Sequence, residues 1–273
     1  MNFKMTSTKK RPSLPQCDTL IVLAVSAEEK ALKSEAKKLG IKVAKMRGDA
    51  ILGTYYWLGR VGNERVIAAR SSVMGALGYG GSAELAARFR QATGATSIVQ
   101  LGMAFGIDPI LQKPGDVLVS THVIPYDHRN YEELEQGSGY AVNYERASWI
   151  SAAEKTVESL KRELSRASLN RNYSVHFGGI LSGAAIIRSE SFRNELIAKV
   201  PCGNERIIGG EMEGIGLLGL AEYPVWCIVK GISDFADSRR DDTIKRDRPI
   251  ACTNAARFFL ESLLHDTGAT PPS

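Results

Sequence analysis

Short apolar runs rich in β-branched residues alternate along this chain with segments whose apolar positions recur at helical spacing. The run TLIVLAV (19–25) predicts a buried strand, and the segment 28–39 after it predicts a helix that Gly40 ends. The same alternation continues to a closing helix over Ile250–His265. It predicts an α/β fold, a single-domain three-layer α/β/α architecture with a mixed, largely parallel central sheet.

Several local patterns predict individual elements between these ends. Two strand-type runs flank Gly62-Asn63, which predicts a hairpin, and Ser189 is a plausible cap for a helix over 190–200. We interpret residues 125–146 as an irregular polar loop, followed by a long helix that begins around Trp149. The glycine-rich segment EMEGIGLLGLAE, which begins at Glu211, is interpreted as a helix.

The net charge of +5 is concentrated at the start of the chain. The first eleven residues contain four cationic residues and no acidic ones, so the rest of the sequence is close to neutral. This is weak evidence for nucleic acid, and we expect no nucleic-acid partner. The basic segment 1–17 and the segment 267–273 are predicted to be disordered tails around a catalytic domain over 18–266.

The cysteines and histidines give no sign of a metal site. The four cysteines form no CxxC pair, and the four histidines lack metal-ligand spacing. We therefore expect no metal and no cofactor. The sequence shows no secretory signal and no membrane-length apolar run. It predicts a cytoplasmic protein with no membrane partner.

Two acid-rich motifs carry the candidate chemistry: GGEMEGIGL (209–217) and VKGISDFAD (229–237). Ligands of α/β sheets bind beyond the carboxyl ends of the strands, where Asp234 and Asp237 are predicted to lie. A Ser-Asp turn there is also compatible with simple helix capping, but capping does not explain the second motif. Glu211 and Glu213 would face different ways on a helix, so that one enters a pocket while the other is solvated.

These motifs together resemble the nucleoside phosphorylase and nucleosidase superfamily, which includes purine nucleoside phosphorylases and methylthioadenosine/adenosylhomocysteine nucleosidases. The resemblance extends from about Thr19 to Leu264 and is closest at residues 211–214 and 232–234. The segments SSVMGALGYGG (71–81), LGMAFG (101–106) and GGILSGAAII (178–187) also resemble family segments near the ligand.

The resemblance implies a role for each matching residue. Glu213 would bind the ribose hydroxyls, and Asp234 would protonate purine N7 while Ser233 orients it. The other implied substrate contacts are Met212 beneath the sugar, Ile186 stacked on the base, Ile187 at the base edge through its main chain, and Val73 and Met103 beside the ribose. Apart from the resemblance, His128 and Arg129 are compatible with ordinary surface loop residues or, together with Arg188, with a site for a charged 5′ substituent.

The position of the water-activating acid is open at this point. The alignment places Lys30 where hydrolytic members carry this acid, and a shift of one residue places Glu29 there. Glu28 and Glu29 are equally compatible with acids in the first turn of a helix. The arginines that bind phosphate in phosphorolytic members are missing, which favours water as the nucleophile.

The resemblance thus implies a purine nucleoside or nucleotide N-ribosyl hydrolase that releases the free base. Acid and carboxylate groups suit this reaction, because cleavage produces an oxocarbenium-like sugar and a base that must be protonated. The alternatives are a phosphate-dependent purine nucleoside phosphorylase and a non-catalytic nucleoside-binding protein. The resemblance also implies a homodimer or a trimer of dimers.

Overall fold

A computed structural model describes residues 14–48, 52–134, 137, 139–144, 149–166, 171–202, 206–220 and 225–266. The predicted tail 267–273 and residues 1–13 of the predicted tail 1–17 lie outside this part of the chain. Cys17, at the end of the latter tail, is buried, and its main-chain N–H donates to the carbonyl of Thr93.

The described residues form twelve strands and five α-helices. The strands are β1 (Thr19–Leu23), β2 (Ala44–Arg47), β3 (Thr54–Val61), β4 (Glu64–Arg70), β5 (Ser97–Gly106), β6 (Val117–Pro125), β7 (Asn130–Glu133), β8 (Tyr140–Asn143), β9 (Ile150–Ser151), β10 (Val175–Ser182), β11 (Ile207–Glu211) and β12 (Trp226–Asp234). The helices are α1 (Ser26–Lys38), α2 (Ser82–Thr93), α3 (Glu154–Arg166), α4 (Glu190–Lys199) and α5 (Arg240–His265).

The fold is a mixed α/β structure around a central mixed sheet, which confirms the predicted class. Ten of the described strands form this sheet, in the order β11-β10-β6-β12-β5-β1-β4-β3-β2 with β9 beside β6. Strands β1, β4, β5 and β12 run parallel, whereas β12 meets β6 in antiparallel orientation. A further pairing of β11 with β5 closes β5, β12, β6, β10 and β11 into a ring.

Apolar side chains of the strands supply most of the core. Every residue of β1 and of β12 is buried, as the nearly continuous apolar runs predict for strands covered on both faces. Helix α5 packs against β12 and α1. The predicted hairpin of β3 and β4 and the Ser189 cap of α4 are also confirmed, since the Ser189 hydroxyl accepts the Phe192 N–H.

Four local predictions are wrong. Over its described residues 211–220, the segment from Glu211 is not an α-helix: β11 ends at Glu211, and a short 3-10 turn follows over Gly214–Leu217. The polar loop 125–146 contains the hairpin of β7 and β8, and Trp149 precedes the two-residue strand β9 rather than opening α3. Helix α5 begins at Arg240, ten residues earlier than predicted, and includes Pro249.

Candidate active site

One open cavity lies where β1, β5, β11 and β12 end. It contains about 530 Å³ of empty space. Its lining includes four carboxyl side chains, Glu28, Glu211, Glu213 and Asp234, all of which are buried. The predicted position of the site, beyond the ends of the strands, agrees with this cavity.

Lys230 on β12 holds three of these carboxylates together. The side chain is fully buried, and its Nζ donates to Glu213 Oε2 at 3.1 Å. The same Nζ lies 3.8 Å from Glu211 Oε2 and 4.0 Å from Glu28 Oε1. Burial alone would lower the pKa of Lys230, but the three surrounding carboxylates raise it, so the ammonium stays charged.

Glu211 and Glu213 face the same cluster, which corrects the expectation that one of them is solvated. Glu211 is buried, and its two oxygens accept main-chain N–H groups of Glu213 and Gly214 at 2.9–3.0 Å. This bonding shapes the turn after β11 and directs Glu213 toward the cavity. Burial raises the pKa of Glu211 to about 7, with Lys230 opposing and Glu213 adding to the shift.

Glu28 holds the beginning of α1 against the end of β5. Its Oε2 accepts the N–H groups of Ala24 at 2.6 Å and Val25 at 3.0 Å, and its Oε1 accepts the N–H of Met103 at 3.1 Å. Burial raises the pKa of this carboxyl group, and the charge of Lys230 opposes the shift. A buried carboxylate with a raised pKa suits proton transfer near neutral pH.

Asp234, the last residue of β12, also lines the cavity. The Ser233 hydroxyl donates to its Oδ2 at 2.8 Å and the Ala236 N–H to its Oδ1 at 3.0 Å, while Arg240 Nε lies 3.4 Å from Oδ1. Burial raises the pKa of Asp234, although these three neighbours lower it in part. The carboxyl group is therefore easier to protonate than an exposed aspartate.

The whole described body of the chain matches one protein family. Residues 18–264 match the model of the phosphorylase superfamily. The chain belongs to this superfamily. A search of curated proteins found no match.

Solved structures of nucleosidases share the fold of this superfamily member. A 5′-methylthioadenosine/S-adenosylhomocysteine nucleosidase from Neisseria meningitidis, solved with methylthio-immucillin-A, is 21% identical with a TM-score of 0.67 over 90% of this chain and 99% of the other. Futalosine hydrolase of Helicobacter pylori is 18% identical with a TM-score of 0.68, over 90% of this chain and 97% of that one. A 5′-methylthioadenosine/S-adenosylhomocysteine nucleosidase from Colwellia psychrerythraea, solved with adenine, is 20% identical with a TM-score of 0.68. The match covers 91% of this chain and 95% of the other.

Most of the residues that the superfamily resemblance implied do line the cavity. Glu213 and Asp234 both line it, and so does Ser233, which is hydrogen-bonded to Asp234. The lining also includes Met103, Met212, Ile186 and Ile187. Their individual roles stay predictions.

Five predicted site residues lie outside the lining of this cavity, and one of them, His128, is exposed between β6 and β7. Val73 is exposed on the loop after β4. Arg188 pairs with Asp241 at 3.1 Å, and the guanidinium of Arg129 lies 5.5 Å from the centre of the Tyr131 ring. Glu29 faces the other side of α1, where Tyr56, Lys33 and Arg70 donate to it. Burial would raise its pKa, but these three donors lower it to about 2, which does not suit a general base.

The sequence did not lead us to predict two cationic residues of the site, Lys230 and Arg240. Lys230 is the one charged residue in the apolar strand WCIVKGI, and a charge in such a strand needs buried partners. That signal was available and points to the acidic motifs. Arg240 carries no comparable signal, because it lies between the predicted strand and the predicted closing helix, outside any apolar run.

Neither a metal site nor a membrane-spanning helix is found among the residues that the structure describes. These residues contain no cluster of three or more histidine, cysteine or acidic side chains able to hold a metal ion. None of their helices is both long enough and apolar enough to span a membrane.

Proposed function

We propose that this protein hydrolyses the N-glycosidic bond of a purine nucleoside or nucleotide and releases the free base. The observation that carries the proposal is the convergence of Glu28, Glu213 and Asp234 on one cavity. The purine-type ligands of the structural neighbours, adenine and methylthio-immucillin-A, agree with it.

Glu213 is suited to the sugar. Its Oε1 accepts only a long bond of 3.4 Å from the Gly75 N–H, and its Oε2 accepts from Lys230. Lone pairs therefore remain for two ribose hydroxyls, and Met212 beside it supplies an apolar wall. As the bond breaks, the positive charge that develops on the sugar is stabilised by this buried carboxylate.

Asp234 and Glu28 are suited to the two proton transfers. Asp234, with its raised pKa, gives a proton to the purine ring nitrogen, so that the base leaves as a neutral molecule. Glu28 accepts a proton from the attacking water, and the main-chain donors at Ala24 and Met103 keep its carboxylate in place. Glu28 thus replaces Glu29 and Lys30 as the candidate for this step.

Water, rather than phosphate, is the proposed nucleophile. The cavity lining supplies four carboxyl groups, and its arginine, Arg240, is paired with Asp234. Incubation with a panel of purine nucleosides and nucleotides in phosphate-free buffer should yield free base together with ribose or a ribose phosphate. Strict dependence on added phosphate, with ribose 1-phosphate as the product, would favour the phosphorylase alternative.

A matched pair of variants tests which glutamate is the general base that accepts the proton of water. Glu28→Gln should lower kcat for nucleoside hydrolysis by roughly 10²–10⁴-fold, because the amide cannot accept the proton of water. Glu29→Gln, one residue away and outside the cavity, should change it little. A large loss of kcat in Glu29→Gln and a small one in Glu28→Gln would make Glu29 the general base. Small and equal losses in the two variants would exclude both residues from this role.

A further inference from the structure

The turn directly after Asp234 contains a strained residue. Ala236 has a φ of 52°, in the left-handed region that residues with a side chain seldom adopt. It is the one residue other than glycine with a positive φ in the part of the chain that the structure describes. Such a conformation persists only where surrounding contacts hold it, and Ala236 is fully buried. The contacts that hold this turn therefore lie inside the protein.

One peptide unit of the turn contacts Asp234. It is the unit between Phe235 and Ala236, and the Ala236 N–H donates to Asp234 Oδ1 at 3.0 Å. Because a trans peptide is planar, the Phe235 carbonyl points in the opposite direction to this N–H. Rotation of the unit would carry the N–H away and turn the carbonyl toward the carboxyl group. The direction of the Phe235 carbonyl thus decides which polar group Asp234 meets.

The buried Arg193 of α4 holds this carbonyl. Its side chain is 5% exposed, and its Nη1 donates to the Phe235 carbonyl at 2.6 Å. Its Nε and Nη2 donate to the Asn194 side chain at 3.1 and 2.9 Å, and Nη2 also donates to Glu190 at 3.2 Å. Asn194 and Glu190 belong to α4 itself. The bond to Phe235 therefore joins the guanidinium to the turn after β12.

Helix α4 gives Arg193 a firm support beside the cavity. The helix follows the segment 185–187, which lines the cavity, and begins after the Ser189 cap. Ile187, Leu196 and Ala236 belong to one cluster of buried apolar residues. The packing of this cluster fixes α4 relative to the turn, so the guanidinium is held where the Phe235 carbonyl needs it.

We propose that Arg193 is a positioning residue for the general acid, because it holds the peptide unit between Phe235 and Ala236 with its N–H directed at Asp234. This inference rests on the proposed function for the role of Asp234. Without Arg193, rotation of the unit relieves the strained angle of Ala236. The carboxyl group of Asp234 then donates to the Phe235 carbonyl instead of to the purine.

Arg193→Met tests this role. It keeps a long unbranched side chain and removes every donor. Its kcat for purine nucleosides should fall by about tenfold or more, a part of the roughly 10²–10⁴-fold that a placed general acid contributes. Its kcat for a nitrophenyl riboside, whose leaving group needs no proton, should change little. Equal losses on the two substrates, or no loss on either, would overturn the proposal.

Two further variants separate the bond to Phe235 from charge. Arg193→Lys keeps the cation but not the planar fork that serves Phe235 and Asn194 together, so its loss should be smaller than in Arg193→Met but measurable. Glu190→Gln removes an acid that is 65% exposed and pairs with the same guanidinium. It should keep the native ratio of the two kcat values. Native behaviour of Arg193→Lys, or a loss in Glu190→Gln as large as in Arg193→Met, would assign the effect to charge and overturn the proposal.

Carbon-13 NMR of the aspartate carboxyl groups tests the contact without turnover. The signal of Asp234 is identified by its absence from Asp234→Asn. Burial raises the pKa of Asp234, and the Ala236 N–H is among the contacts that lower it. Loss of this N–H in Arg193→Met should therefore raise the pKa, so that the signal titrates at higher pH than in the native protein. Arg240 and Asp237, the charged residues that also face Asp234, are retained.

The titration also separates this proposal from the proposed hydrolysis. A higher midpoint in Arg193→Met and a smaller rise in Arg193→Lys would support the link from Arg193 to Asp234, even if the native protein released no base from any purine nucleoside. Absence of base release would then reject the hydrolase alone. A native midpoint in Arg193→Lys would overturn the proposal whatever the activity is, and this variant decides if Arg193→Met does not fold.

Discussion

Asp234 is the residue through which the departing base would be protonated. Asp234→Asn keeps the size of the side chain and removes the proton. Cleavage of purine nucleosides should therefore drop by about 10²–10⁴-fold, the usual contribution of a general acid. A nitrophenyl riboside, whose leaving group needs no proton, should be hydrolysed at nearly the same rate by both proteins. Equal slowing of the two substrates would show that Asp234 is not the acid.

The raised pKa of Asp234 also gives a direction for the pH dependence. Burial extends the protonated form to higher pH than in an exposed aspartate, and only this form can donate. Purine cleavage should fall as pH rises through the folded-state pKa of Asp234. The rate profile of Asp234→Asn should lack this decline. Kinetics from about pH 4, near the ordinary aspartate pKa, up to roughly pH 9 would detect the difference.

Lys230 stabilises three buried carboxylates. Its removal should therefore lower the free energy of unfolding, and should lower it more at high pH than at low pH. Lys230→Met leaves Glu28, Glu211 and Glu213 without their cation, and breaking a buried ion pair in this way costs about 3–5 kcal/mol. Without the ammonium, whose charge lowers the pKa of Glu28 and Glu211, the folded-state pKa of these two carboxyl groups should rise. A raised carboxyl pKa makes stability fall as pH rises from the unfolded value toward the folded one.

Urea unfolding of native protein and Lys230→Met at pH 5 and pH 8 measures this effect. The free energy of unfolding of Lys230→Met should fall further below the native value at pH 8 than at pH 5. At pH 8 the unfolded variant releases protons that the folded variant retains. An equal loss at both values would mean that the lysine acts through packing alone.

At the scale of elements, the sequence predicted the strands better than the turns. Apolar runs such as β1 and β12 have no alternative to a buried strand. The segment after β11 was misassigned because its turn depends on Glu211 accepting the N–H groups of Glu213 and Gly214. Periodicity of apolar residues does not report such a side-chain to main-chain bond, so the glycine-rich run was taken for a helix.

Close packing of α5 on β12 depends on a residue without a side chain. A Cβ on Gly231 would lie 2.0 Å from the carbonyl oxygen of Ala251 on α5. Gly231→Ala should therefore lower the free energy of unfolding by about 1–3 kcal/mol, the usual cost of overpacking. Gly219→Ala, where no atom lies within 4 Å of the added carbon, should be nearly neutral. Thermal unfolding of both variants tests this prediction. Equal melting temperatures would show that an added Cβ at Gly231 does not disturb the packing of α5.

At the scale of the whole molecule, the site is a product of strand order. The closing pair of β11 with β5 brings Glu211 and Glu213 to the same cavity as Asp234, although separate motifs carry them. Sequence could place Asp234 after a strand, but it could not predict this strand order, because the pairing of distant strands leaves no local pattern. The homodimer or trimer of dimers, the domain boundaries and the cytoplasmic location stay predictions, and sedimentation would measure the first.

Acid stability should depend on ion pairs that join the first strand and helix to the rest of the sheet. Hydrogen bonds from Arg65 lower the pKa of Asp18 to about 2, and this pair links the start of β1 to β4. Glu29, also with a pKa of about 2, links α1 to β3 and β4 through Tyr56 and Arg70. Both groups have depressed pKa values, so their contribution is present above the ordinary values of 3.8 and 4.5 and is lost as pH falls toward 2.

The variant Asp18→Asn should therefore remove part of the decline in stability at low pH. Its free energy of unfolding should change less between pH 5 and pH 2.5, taken as roughly the span of the two pKa values, than that of the native protein. Glu158→Gln, which removes an acid paired with Lys161 at the surface, should keep the native decline, because exposed pairs contribute little. If urea unfolding gives Asp18→Asn the same decline as native protein and Glu158→Gln, the attachment of β1 through Arg65 does not govern acid stability. The decline would then be assigned to the links that Glu29 makes from α1.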